Sequence, residues 1–221
     1  MAHLLLSWTL GGYPSHNLAV AAKHFYDKTD MKTDSLCRAA EEQFACAFRE
    51  FPFHMNTLYY GPQNAGPSTL LFAEPTGYRA TMTCFAYDDL RHWRSVYPED
   101  VFEEQFCKLC EGWEKGLALL PSAEDGGEIA EMAHAAYCLF RASLNQIRFV
   151  RARDGKRDAD ALAAVRDELA VAERMLLAMR RNAAIGYEAA NHYYFSKGQL
   201  AEKIVNCYYV IDLLNRRQKK S

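Results

Sequence analysis

The residues best equipped for chemistry gather in two stretches. Tyr187 to Phe195 holds Glu188, Asn191 and His192 among Tyr187, Tyr193, Tyr194 and Phe195. A polyol or sugar site needs this mixture, because planar faces stack on the ring while Asn, His and Glu make directional hydrogen bonds to hydroxyls. An alternative reading stays open: a helix–helix connection whose polar groups cap helix ends. The second stretch is Tyr59-Tyr60-Gly61-Pro62-Gln63-Asn64-Ala65-Gly66-Pro67, followed by Glu74-Pro75-Thr76-Gly77-Tyr78. Tyr60, Gln63, Asn64 and Glu74 offer the same amide-plus-aromatic chemistry on a backbone held by Gly and Pro. A purely structural loop is the competing account.

Other chemistries find little support. Paired carboxylates for glycoside hydrolysis must lie ~5 to 10 Å apart across a cleft. Glu74 and Glu188 are the acids set in such motifs, and spacing alone does not bring them together. There is no nucleophile elbow, Walker loop, dinucleotide fingerprint or H-E-x-x-H helix. The seven cysteines are odd in number and irregular in spacing, which suits reduced, packed thiols. Cys107-Lys-Leu-Cys110 is the one C-x-x-C and could form half a zinc site, but no second ligand pair answers it. No cofactor is expected.

The elements that must position these residues are mostly helices. Leu4–Leu6 reads as a short apolar strand, followed by Trp8 and a Gly-Gly-Tyr-Pro turn. Apolar residues then recur with helical period over 16–27, 33–51, 99–120, 128–153, 158–182 and 197–217, with a shorter helix after Asp88-Asp89 carrying Leu90, Trp93 and Val96. Pro52, Pro98, Pro121 and Ser196 mark ends and starts. Residues 52–87 differ, with interleaved Pro, Gly and aromatics. A disordered linker would be poorer in aromatics, so this reads as an ordered loop region. The long amphipathic segments with short connections predict an all-α antiparallel bundle of about six or seven helices with a short N-terminal strand.

Five segments agree in order with a known pattern: Ser7-Trp8-Thr9-Leu10-Gly11-Gly12-Tyr13-Pro14-Ser15, Tyr60 to Asn64, Glu74 to Tyr78, Gly112-Trp113-Glu114-Lys115-Gly116 and Gly186 to Tyr194. Together they resemble the C-terminal part of uncharacterised bacterial glycoside hydrolase-like proteins with a (β/α)8 barrel followed by a helical domain. The resemblance implies that residues 1–30 are the last strand and helix of a truncated barrel, and that residues 31–221 are the helical domain. It places Trp8 and Tyr13 on the side of the strand where barrel active sites lie. The catalytic acid and nucleophile would belong to strands outside this chain.

Two function classes follow. In one, the chain contributes sugar contacts through Trp8, Tyr13, Tyr60, Gln63, Asn64, Glu74, Glu188, Asn191, His192 and Tyr193 without being catalytically complete. In the other, it is a non-catalytic helical binding or interaction module whose aromatics are core. A carbohydrate is the expected ligand, and the Leu4–Leu6 edge is expected to drive some self-association. A net charge of −2 gives no nucleic-acid footprint. No segment is long and apolar enough for a membrane span, and nothing directs secretion. The chain as it stands is therefore expected to be cytoplasmic, with the compartment of any longer parent left open.

Overall fold

The computed structural model describes residues 31–79, 86–121, 127–188 and 193–219. The predicted N-terminal strand and its helix lie outside the described residues. Among those described, the architecture is an all-α bundle of seven helices. They are α1 (Met31–Phe48), α2 (Met55–Tyr60), α3 (Leu90–Trp93), α4 (Glu99–Leu117), α5 (Gly127–Asp154), α6 (Asp158–Arg181) and α7 (Lys197–Gln218). Two 3-10 turns, Pro62–Asn64 and Gly66–Ser68, follow α2. A minimal antiparallel pair, β1 (Tyr187–Glu188) and β2 (Tyr193–Tyr194), precedes α7.

Each terminus has a local cause. Helix α1 ends at Phe48, and three successive i→i−3 bonds carry the chain through Arg49, Glu50 and Phe51. The ring of Pro52 disfavours helical backbone at Phe51, so the helix stops short of the last apolar residue of its pattern. Helix α4 starts after Pro98, with Glu99 and Asp100 in the first turn where the dipole favours carboxylates. Helix α7 opens with a reciprocal capping box between Ser196 and Gln199.

Helix α5 is the centre. Its 28 residues extend about 42 Å. It packs against α4 on one side and α6 on another, with the 3-10 turns over it. Every residue from Ala135 to Ile147 except Arg141 is buried. The sequence pattern suggests a one-sided amphipathic helix, yet this stretch is enclosed. Its buried polar groups accordingly find partners: Ser143 donates to Leu139 O (2.9 Å), Asn145 to Glu168 (3.0 Å), and Gln146 to the carbonyls of Ala86 and Tyr87 (3.3 and 3.1 Å).

Helix α1 packs on α4 through the Gly112-Trp113-Glu114-Lys115-Gly116 segment. A Cβ at Gly112 would lie 2.7 Å from Ala47 Cβ, and one at Gly116 would lie 2.4 Å from the Phe44 ring. The absent side chains let the helices approach, and Phe44 then stacks on Trp113 with centroids 4.5 Å apart. Trp113 meets Phe140 of α5 edge-on at 5.0 Å, and its indole N–H donates to Ala133 O at 2.9 Å. Phe51, Phe102, Phe106 and Trp93 continue this aromatic core. Three residues of the apolar stripes face outward instead: Val96, Val101 and Tyr208.

Candidate functional site

Residues 52–79 form an ordered cover held by polar contacts to distant parts of the chain. Helix α2 is fastened to α3 by Thr57 Oγ1 donating to Trp93 O (3.0 Å) and Asn56 Nδ2 to His92 O (3.1 Å). Further along, the Asn206 amide of α7 grips both backbone groups of Leu71. It accepts from the N–H at 2.8 Å and donates to the carbonyl at 2.9 Å, as a neighbouring strand would. Asp88 accepts from the backbone and hydroxyl of Thr76, each at 2.7 Å, and pairs with buried Arg153 at 3.0 Å. Arg153 also donates to Phe72 O at 3.1 Å. These bonds answer the backbone groups that a buried loop would otherwise leave unpaired.

The two loops singled out by their chemistry meet. Gly66 has φ +56°, and a Cβ there would approach Leu139 of α5 to 2.6 Å and the Phe195 ring to 3.1 Å. Only a residue without Cβ fits both the left-handed backbone and this closeness. On the other loop, Gly186 has φ +95° and accepts from the N–H of Phe195 at 2.9 Å. Phe195 is buried between the two glycines, while Tyr187 and Tyr194, cross-strand neighbours in the β1–β2 pair, are exposed. Tyr59 is at the margin of exposure and Tyr78 is exposed.

The candidate residues divide accordingly. Trp8, Tyr13, Asn191 and His192 lie outside the described residues. Glu188 and Tyr193 are register partners in the backbone of the strand pair. Tyr60 is half-buried, its ring 4.9 Å from that of His92. Glu74 is exposed and pairs with Arg217 of α7. Gln63 and Asn64 are buried, and their amide nitrogens donate to the last carbonyls of α2. Gln63 reaches Thr57 O and Leu58 O, and Asn64 reaches Leu58 O and Tyr59 O at 3.2 and 3.1 Å. The two side chains thus cap a helix C-terminus. Their carbonyl oxygens are buried without a hydrogen-bond partner among the described residues.

One polar cluster lies outside both loops. Glu168 of α6 and Lys203 of α7 are buried and paired at 3.1 Å. Asn145 of α5 donates to the other Glu168 oxygen, and Lys203 also donates to Thr69 O. Burial pushes the Glu168 carboxyl up, against the pull of Lys203 and Asn145. Both positions fall on apolar faces, Glu168 between Val165 and Ala172 and Lys203 between Leu200 and Cys207, so the period marks them as enclosed, while their pairing across two helices follows only from the packing. The cluster ties three helices to the loop cover.

Burial disfavours the thiolate form of four cysteines. Burial pushes Cys110, Cys138 and Cys207 up to about 12. Cys107 is raised as well, also chiefly by burial, and its sulfur accepts from Arg148 at 3.2 Å. Among the described residues, no three His, Cys, Asp or Glu side chains gather as a metal site, and no helix is long and apolar enough to cross a membrane. No protein-family model matches the chain, and neither does any curated protein or solved structure.

Proposed function

We propose that the chain is the helical part of a carbohydrate-active, glycoside hydrolase-like protein, contributing sugar-contacting residues without a complete catalytic centre. The observation that supports this reading best is the meeting of the 59–68 and 186–195 loops at Gly66 and Phe195. They are far apart in sequence, and each brings exposed tyrosine: Tyr59 from one, Tyr187 and Tyr194 from the other. Flat amphipathic rings, with Glu188, Asn191 and His192 in the same stretch of sequence, suit a pyranose, whose faces are apolar and whose rim is hydroxylated. Trp8 and Tyr13 enter through the family resemblance. Gln63 and Asn64 act in this reading by shaping the loop, since their amide donors are engaged.

Titration of the purified chain with mono- and disaccharides, followed by calorimetry and tryptophan emission, tests it. Trp93 and Trp113 are buried, so a ligand-dependent emission change reports on Trp8. The expected result is saturable binding weakened by Tyr194→Ala, with the emission change lost in Trp8→Ala. No binding across a panel of neutral saccharides overturns it. A second reading, a non-catalytic interaction module, is favoured by the aromatic core around Trp113 and by the capping use of Gln63 and Asn64. It expects a silent sugar titration with the helical fold intact.

A further inference from the structure

A groove of about 520 Å³ lies between α4, α5 and α6, with no lining residue from either loop. Four arginines and three carboxylates are among the residues lining it. Arg141, Asn145 and Arg148 follow one another at i, i+4 and i+7, one face of α5 over about 10 Å. Ala163 and Ala164 stand on the α6 side, and their small side chains leave the space open between the charged groups.

The charges there are unevenly matched. Arg141 is paired with Asp167 and Arg157 with Asp160, each at 2.6 Å. Arg148 and Arg151, however, share the one carboxylate of Glu103, and Arg151 reaches Glu99 only at 3.8 Å. The Nη2 group of Arg148 has a thiol, Cys107 Sγ, as its partner at 3.2 Å. A thiol is a weak acceptor, and an anionic oxygen would replace it to advantage. A second observation is independent of charge. Asn145, 1% exposed, lines the groove, and its Oδ1 has no hydrogen-bond partner among the described residues. A buried amide carbonyl without a donor is costly unless something supplies one.

We propose that this groove binds a small hydroxylated phosphate monoester, of the chemical class of a sugar phosphate. The phosphate lies against Arg148 and Arg151, whose planar guanidiniums suit tetrahedral oxyanions. A ligand hydroxyl donates to Asn145 Oδ1. None of these residues belongs to the 59–68 or 186–195 loops, so this proposal and the loop reading fail separately.

Isothermal titration of the full chain at low salt with glucose 6-phosphate, methyl phosphate and glucose tests it. Glucose 6-phosphate is expected to bind saturably, methyl phosphate more weakly and glucose not at this site. Arg148→Gln is expected to weaken glucose 6-phosphate binding about tenfold, the loss of one charge-assisted contact. Ala163→Leu fills the groove from an exposed position of α6, where the core is untouched, and is expected to abolish the signal. Absence of binding overturns the proposal, as does equal affinity for methyl phosphate, or affinity unchanged in both variants.

Discussion

His134 on α5 is half-buried and accepts from Arg174, whose guanidinium also lies over the Tyr137 ring at 5.2 Å. Burial, with Arg174 and Arg181 nearby, lowers its pKa from 6.5 to about 4. The unfolded chain therefore takes up this proton first as pH falls. Stability is full above about 6.5 and declines as pH drops through that value towards 4. Urea midpoints are expected to fall between pH 7 and pH 4.5, and His134→Gln, which keeps an acceptor for Arg174, is expected to reduce that fall. An identical pH dependence in the variant would show that His134 does not titrate this way. Individual residues also separate roles within one loop. Gln63 and Asn64 have the composition of a ligand-binding pair, yet their nitrogens face the carbonyls ending α2.

The α1–α4 contact illustrates how an element pair depends on residues that contribute no side chain. Gly112 and Gly116 cost helix propensity, about 1 kcal/mol each relative to Ala, which the close approach of Ala47 and Phe44 offsets. Gly116→Ala is expected to destabilise the fold by about 1 to 3 kcal/mol in urea unfolding, because the added methyl would meet the Phe44 ring at 2.4 Å. Phe44→Leu in that background is expected to recover part of the loss, giving a non-additive cycle. Additive losses would mean that the ring does not confront the new methyl. Here the glycines and Trp113 of this segment serve packing.

Across the whole molecule, long-range polar contacts connect the bundle to its cover. Glu168, Lys203 and Asn145 join α5, α6 and α7, while Lys203 and Asn206 hold residues 69–71. Lys203→Met would leave a buried carboxylate unpaired. It is expected to cost about 3 to 5 kcal/mol, and adding Glu168→Gln is expected to restore much of that. Calorimetric midpoints of the three variants check this, and a neutral Lys203→Met would remove the cluster from any account of stability. The cover presents Tyr59 and Tyr78, so a loosened cluster should also weaken any ligand binding by the loops.

The helices were legible because their cause is local. An apolar period of 3.6 residues, Pro98, Ser196 and the turn after Asp154 place the four longest helices within a few residues, and the ordered character of 52–79 follows from aromatics that need burial. Helix α2 and the β1–β2 pair escaped, because six residues and two residue pairs carry too little periodicity to register. The convergence of Gly66 with Phe195, the enclosure of α5 and the pairing of Lys203 with Glu168 depend on contacts between segments far apart in the chain. Asn206 meets Leu71 across 135 positions. Spacing along a chain records which face of an element is apolar, but not which group of another element a polar residue on that face will meet. That depends on how the helices pack, which is also why the arginine groove, built from three helices, leaves no motif in the sequence.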